Sequence, residues 1–238
     1  MKTELKIAFT TITLAILACN ILSPATPPSP TLQPPPTIAI PDDGSFVRLE
    51  VIEGDTRIVG DPTEGQFLII TGEVVNNTDT WVKAPQVYIR IYDASGNLIR
   101  EEAEFFAERS RIPPHSTSAF RFTRDLAKIE GEPASQVIEA FAIPTDDSQQ
   151  AVIDNLQTAP DGNHLQVSGD FKSTGTEACH VPRVIVTLRS GGKVMESDNY
   201  LIDLGSDLDL PSGESVHFDE IVNDAAAYDV TVETSCGA

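Results

Sequence analysis

The sequence predicts an all-β protein, in which two tandem immunoglobulin-like β-sandwich domains follow a cleaved signal peptide and a proline-rich tether. Short apolar segments rich in β-branched residues recur with turn signals between them. No long segment has the 3.6-residue period of an amphipathic helix. Landmarks of the first half also recur in the second half at a fixed spacing, which indicates two copies of one module.

The N-terminus has the pattern of an export signal. Lys2 and Lys6 precede an apolar run that ends at Cys19. The run is too short for a membrane-spanning helix, which needs about 20 residues. We therefore predict a signal peptide over residues 1–18.

Residues 16–19, Ile-Leu-Ala-Cys, resemble the lipobox of bacterial lipoproteins. The resemblance implies that Cys19 carries a diacylglycerol and becomes the new N-terminus after cleavage. The alternative is cleavage near residues 23–25, with Cys19 incidental. The lipobox implies a protein held by lipid at the cell membrane or envelope, on the extracytoplasmic face.

The next segment, residues 19–44, is predicted to be a disordered tether. Residues 23–41 contain eight of the 17 prolines in the chain. Proline cannot donate a backbone hydrogen bond, so an extended polyproline segment is expected, which at about 3.1 Å per residue reaches roughly 60 Å. The alternative is a PxxP ligand for a partner domain.

Charge excludes some partners. The chain carries a formal net charge of −20, spread along its length. Phosphate backbones and acidic lipid headgroups would be repelled, so we expect no nucleic-acid partner and a membrane contact through the lipid anchor.

The first half of the folded region contains a series of strand patterns. Residues 84–92 are the clearest, with aliphatic side chains on one face and polar ones on the other. Residues 93–97 form a hairpin turn that leads to a strand at 98–106. Further strands are predicted at 46–51, 67–75, 119–122 and 136–142. Together they predict a sandwich over residues 45–144.

A shift of 97 residues brings the two halves into register. It superposes Gly72 on Gly169, Pro85 on Pro182 and Pro114 on Pro211. Two copies are too few for a solenoid, so each is expected to bury its own core. The second sandwich is predicted over residues 148–238, after a polar break.

The strand patterns also resemble the FxLYD domain family, named for a Phe-x-Leu-Tyr-Asp strand end. Residues 72–78 read Gly-Glu-Val-Val-Asn-Asn-Thr, residues 89–93 read Ile-Arg-Ile-Tyr-Asp, and residues 112–114 read Ile-Pro-Pro. The second copy reads Val-Thr-Leu-Arg-Ser at 186–190 and keeps less of the motif. The resemblance implies an exported or surface-attached bacterial or archaeal module with an immunoglobulin-like fold, frequent on lipoproteins, and it brings no catalytic residues.

Two cysteines remain besides Cys19. Cys179 and Cys236 form an even pair in a chain that carries an export signal, so we expect a disulfide between them. The rival hypothesis is a catalytic thiol beside His180. Neighbouring residues of a strand point to opposite faces, which argues against that pair.

No reaction chemistry is recognisable, so we predict neither an enzyme nor a cofactor. The histidines lack metal-ligand spacing: His115, His164, His180 and His217. Residues 203–209 interleave leucine with aspartate and are interpreted as a half-buried edge strand, with a calcium site as the alternative.

Trp81, Tyr88 and Tyr92 form a candidate binding strip along the clearest strand. Both tyrosines lie opposite the aliphatic face, whereas packing in the core or at its rim is the alternative role for the tryptophan. The function predicted is a non-catalytic, lipid-anchored envelope protein that displays two modules for protein or glycan binding, or as a structural spacer. The alternatives are an extracytoplasmic enzyme or a calcium-dependent binding protein.

Overall fold

The computed structural model describes residues 44–146, 150–223 and 225–237, which form an all-β protein, as predicted. The predicted signal peptide, Cys19 and almost all of the tether lie outside the described residues. The predicted start of the second domain, at residue 148, lies outside them too. All the strands belong to one compact unit.

The first sandwich contains seven strands that lie in two layers. One layer has the order β4-β3-β7 and the other β1-β2-β6, and β1 joins both. The strands are β1 (Val47–Asp61), β2 (Gly65–Asn76), β3 (Trp81–Tyr92), β4 (Leu98–Phe106), β5 (Arg111–Ile112), β6 (Ser116–Asp125) and β7 (Ser135–Thr145).

The first strand is longer than the sequence indicated. Residues 47–49 pair with β7 and residues 50–53 pair with β2; after an irregularity between Glu53 and Thr56 the strand continues along β2 to Asp61. A β-bulge bends a strand and increases its twist. The strand therefore changes layer between Leu49 and Glu50, and the bulge lies beyond that point, within the pairing with β2.

The second sandwich repeats this arrangement. Its layers have the orders β12-β11-β15 and β14-β9-β8, and β10 pairs with β13. The strands are β8 (Ala151–Asp161), β9 (His164–Ser173), β10 (Cys179–His180), β11 (Pro182–Ser190), β12 (Lys193–Leu201), β13 (Asp209–Leu210), β14 (Ser215–Val222) and β15 (Asp229–Cys236). Short 3-10 helices at Leu126–Lys128 and Ala225–Ala227 precede the last strand of each sandwich.

Each sandwich has its own hydrophobic core, filled by the inward residues of its facing sheets. The largest fully buried side chains of the first are Phe120, Ile70, Ile89, Ile91 and Ile112, and those of the second are Phe171, Val167 and Val184.

The same contact between a glycine and a phenylalanine recurs in both copies. Gly72 lies opposite Phe120, and Gly169 lies opposite Phe218. A Cβ added at Gly72 would lie 2.6 Å from the Phe120 ring, and one at Gly169 would lie 3.2 Å from the Phe218 ring. The missing side chain makes room for the ring, which explains why these glycines superpose in the sequence repeat.

Cys179 and Cys236, the cysteines expected to pair, lie at bonding distance. Their sulfur atoms are 2.10 Å apart and their Cα atoms 5.1 Å apart. Both residues are buried, and together they join β10 to the end of β15.

The two sandwiches pack directly against each other through β12. Thr71 donates from its hydroxyl to the carbonyl of Val194 at 2.6 Å. A Cβ added at Gly54 would lie 2.5 Å from that same oxygen. On β11, Ile185 and Thr187 are fully buried although they alternate with the core residues of the second sandwich. The first sandwich therefore covers the outward face of this sheet.

Charged pairs of both polarities cross the interface. Glu196 on β12 accepts from Arg57 at 2.6 Å and forms an ion pair with Arg121 at 2.7 Å. In the opposite sense, Arg189 of the second sandwich pairs with Glu73 of the first. Three further contacts are Arg121–Asp198 at 2.9 Å, Arg109–Glu233 at 3.1 Å and Asn199–Glu108 at 2.5 Å.

Candidate binding face of the first sandwich

The outward face of the β4-β3-β7 layer presents aromatic side chains to solvent. Along β3, Val87, Ile89 and Ile91 fill the core, so the intervening residues Tyr88 and Tyr92 point outward. Both tyrosines are half-buried. The structure therefore brings these members of the predicted strip onto one face.

Tyr88 is held by an aromatic cluster. Its ring meets Phe141 of β7 edge to face, with centroids 5.5 Å apart, and its hydroxyl donates to Gln86 at 2.9 Å. The guanidinium of Arg48 lies 5.0 Å from the Phe141 centroid on the same face. Edge-to-face and cation–π geometry fixes ring orientation, so this cluster is preorganised.

A network of ion pairs lies beside the cluster. Arg90 is 6% exposed and donates to Glu101 at 3.1 Å and to Glu139 at 3.0 Å. Arg48 donates to the other oxygen of Glu139 at 2.8 Å. Arg48, Arg90 and Glu139 thus link β1, β3 and β7 through ion pairs.

The network keeps the buried guanidinium charged. Burial alone would lower the pKa of Arg90, but the hydrogen bond to Glu101 and the charge of Glu139 raise the pKa above its ordinary value. A buried cation with these partners is neutralised locally and holds three strands in register.

Exposed apolar side chains border this face at both ends of β4. Leu98 lies opposite Tyr92 in the ladder and is 50% exposed. Phe106 lies opposite Gln86 and is 53% exposed. We call the following residues the aromatic face, of which Arg90, Glu139 and Phe141 are themselves buried beneath the others: Arg48, Tyr88, Arg90, Tyr92, Leu98, Phe106, Glu139 and Phe141.

Trp81, the third member of the predicted strip, lies in a different place. It is half-buried and sits seven positions before Tyr88 on β3, which corresponds to roughly 20 Å along a strand. There it lines a cleft of about 250 Å³ between the sandwiches. The other polar lining residues include Arg109, Arg111, Gln150, Thr174 and Thr234.

The guanidiniums of this cleft are engaged by the second sandwich. Arg111 donates to the carbonyls of Cys236 and Gly237 at 3.2 and 2.7 Å. Burial lowers the pKa of Arg109, while the charge and hydrogen bond of Glu233 oppose that effect. Both arginines therefore serve the packing of the sandwiches.

The acidic segment at residues 203–209 is a loop, so the edge strand predicted there is wrong. Only Asp209 and Leu210 pair, with His180 and Cys179. Gly205 adopts a φ of +73° and its amide donates to the carboxylate of Asp203 at 2.8 Å. This side-chain-supported turn prevents an extended strand.

Three of the four histidines each pair with one carboxylate. His115 lies 3.0 Å from Asp79, His180 lies 2.6 Å from Asp209, and His217 lies 3.1 Å from Asp170. Within residues 44–146, 150–223 and 225–237, no three metal-ligating side chains form a group that could hold a metal ion.

Sequence reasoning missed Arg48, Glu139 and Phe141 on the aromatic face. Arg48 alternates with apolar neighbours and so carried the signal of an outward residue. Phe141 is an apolar residue between two alanines of a predicted strand, and the sequence does not show which way it points. Their convergence on β3 depends on which strands pair and in which register. No local pattern encodes that pairing.

Comparison with known proteins identifies no relative: no protein-family model matches the chain, and neither does any curated protein. Across the described part of the chain, no helix combines the length and the apolar character required to span a membrane.

Proposed function

We propose that the chain is a non-catalytic, lipid-anchored protein of the cell envelope that presents the aromatic face to a protein or glycan. The two sandwiches would be modules of the FxLYD type. One observation carries the proposal: the β1-β2-β6 layer of the first sandwich packs against β12, while Tyr88 and Tyr92 of the opposite layer point outward.

The composition of the aromatic face suits recognition of a neutral or weakly charged surface. The half-buried rings of Tyr88 and Tyr92 and the exposed ring of Phe106 offer contact area at low cost in conformational entropy, and such rings stack on sugar rings or on apolar side chains. The charges beside them are already paired, so binding need not desolvate an isolated ion.

The anchor is supported by sequence alone. A lipid on Cys19 followed by an extended tether would hold the sandwiches away from the membrane surface. We expect the membrane-extracted protein to carry the mass of two or three acyl chains. A Cys19→Ala variant should lose that mass and appear in the medium.

Ser23→Ala is the matched control, because it lies at the alternative cleavage position and leaves the lipidated cysteine in place. It should stay attached to the membrane. Continued membrane attachment of the Cys19→Ala protein would contradict the anchor.

Binding by the aromatic face is tested with isolated envelopes of the native host. Removing the ring of Tyr88 also frees Phe141 from its edge-to-face contact. We therefore expect Tyr88→Ala to reduce retention of the purified, anchorless protein by about tenfold, as for an aromatic hot spot.

Phe67→Ala is the control for this experiment. Phe67 is 44% exposed and belongs to β2, outside the aromatic face. If Tyr88→Ala, Phe67→Ala and the parent protein are retained equally, the aromatic face is not the binding surface.

A structural spacer is the second candidate, and the packing of the sandwiches favours it. Ion pairs and buried side chains join the two copies, so they would form one rigid body rather than a flexible pair. A spacer would tolerate Tyr88→Ala and would lose function when the interface is broken.

A further inference from the structure

One stretch of β7 lacks a strand on its outer side. Residues 47–49 of β1 pair with residues 140–142 of β7, and β1 then crosses to β2. Among the residues that the structure describes, β7 residues 135–138 pair only with β3. Backbone groups in an antiparallel strand point alternately to either side. Half of the backbone N–H and C=O groups of residues 135–138 therefore face away from β3.

An opening lies next to this edge. Its volume is about 290 Å³, and the core residues Leu68, Ile70 and Ile91 form its floor. Ile58 of β1 lies in its wall and is 46% exposed. Gln136 donates across it to the hydroxyl of Thr56 at 3.0 Å.

The edge also lacks the charges that discourage strand addition. Residues 135–138 read Ser-Gln-Val-Ile and carry no ionisable side chain. The edge strand β4, by contrast, contains Arg100, Glu101 and Glu102, and its ladder is broken by two register shifts. Natural sheets protect exposed edges with charges and bulges of that kind.

We propose that residues 135–138 form a docking edge for an extended segment of a partner polypeptide, which adds as a strand between β7 and β1. A row of backbone donors and acceptors is satisfied by another strand, and neither a glycan nor a small anion has that repeat. This proposal does not depend on the aromatic face.

A flexible segment suits the site better than a second copy of this chain. Two copies would each bring a net charge of −20 to the contact. The wall formed by residues 56–58 also stands beside the edge. The partner segment should carry small apolar side chains at alternate positions, to reach the opening, and no acidic residues.

The probe is the peptide Lys-Thr-Val-Thr-Val-Thr-Lys, added in millimolar excess to the anchorless protein. Amide hydrogen exchange followed by NMR should slow about tenfold at the outward-facing amides of residues 135–138, as a newly formed hydrogen bond implies. The same peptide with proline at its centre cannot complete the ladder and should leave exchange unchanged.

Ile58→Lys should weaken binding of the probe by about tenfold, because it replaces the apolar side chain in the wall of the opening with a charged one. Ile52→Lys is the matched control: Ile52 is 47% exposed on the same strand, and its side chain is outside the lining of the opening. Equal binding by the two variants would overturn the proposal. The proposal would also be overturned if the amides of residues 135–138 are already fully protected from exchange in the free protein. It would be overturned as well if their protection arises from dimerisation of the protein.

Discussion

Asp93, the last residue of the motif that resembles FxLYD domains, organises the turn after β3. One carboxylate oxygen accepts from the backbone amides of Ser95 and Asn97, both at 2.8 Å, and the other accepts from the Asn97 side chain at 2.9 Å. These hydrogen bonds, led by that of the Asn97 side chain, lower the pKa of Asp93. The second copy has Ser190 there, followed by Gly191 and Gly192 at positive φ. In the second copy, two glycines thus allow the turn that the Asp93 carboxylate stabilises in the first copy.

Glu108 is a carboxylate whose charge opposes folding. Burial raises its pKa; the hydrogen bond from Asn199 lowers it, and the charge of Asp198 raises it again. A raised carboxyl pKa gives stability that is present when the group is protonated and is lost as the pH rises through that pKa. We therefore expect Glu108→Gln to raise the melting temperature at neutral pH, while the amide still accepts from Asn199.

The advantage of Glu108→Gln should shrink as the pH falls through the raised pKa, because the parent then becomes neutral as well. Thermal unfolding of both proteins across this range measures the difference directly. An advantage that is independent of pH would show that a cause other than ionisation distinguishes the variants.

In each sandwich a glycine on one strand makes room for a phenylalanine ring on the neighbouring strand. In the first copy a Cβ at Gly72 would lie 2.7 Å from the carbonyl oxygen of Ile52, besides meeting the ring of Phe120. In the second copy a Cβ at Gly169 would first meet a methyl group of Ile153, at 2.9 Å. A methyl group gives way more readily than a strand carbonyl.

Gly72→Ala and Gly169→Ala should therefore both destabilise, and Gly72→Ala more. Overpacking a close-packed core costs about 1–3 kcal/mol, and we expect the upper part of that range at Gly72. Urea unfolding gives the free energies. The reverse order would mean that the backbone of β1 relaxes more easily than the core of the second sandwich.

The sequence predicts most strands and the repeat of the two sandwiches, because both depend on local patterns of apolar and turn residues. The predicted bounds of β4, residues 98–106, match the structure, and the hairpin turn at residues 93–97 is the local signal that marks where the strand begins. The predicted length of β1 does not match, since its continuation to Asp61 depends on a bulge and on pairing with β2. The sequence also does not predict the contact of Phe141 with Tyr88 on the aromatic face, or the burial of Ile185, which requires the other sandwich. Long-range register decides each of these.

At the scale of the whole molecule, Glu196 is the central charge of the interface. It lies between Arg57 and Arg121, and its side chain is 23% exposed. Glu196→Lys would place a third cation between these two arginines. We expect the variant to lose about 1–3 kcal/mol of stability and to show separate thermal transitions for the two sandwiches.

Glu214→Lys is the control, since it makes the same change of charge at an exposed turn of the second sandwich. It should retain a single transition. Adding Arg121→Glu to Glu196→Lys should recover part of the loss, because the pair then has opposite charges again. Calorimetry of the four proteins distinguishes a specific ion pair from a general effect of charge.

The path of β1 also determines how the molecule carries mechanical load. A pull on the chain ahead of residue 47 enters at the strand that pairs first with β7 and then with β2. Tension along this strand must shear hydrogen bonds in both layers together, instead of opening one ladder from its end. We therefore expect the first sandwich to resist stretching from its N-terminal side far better than a hairpin at the margin of a single sheet would.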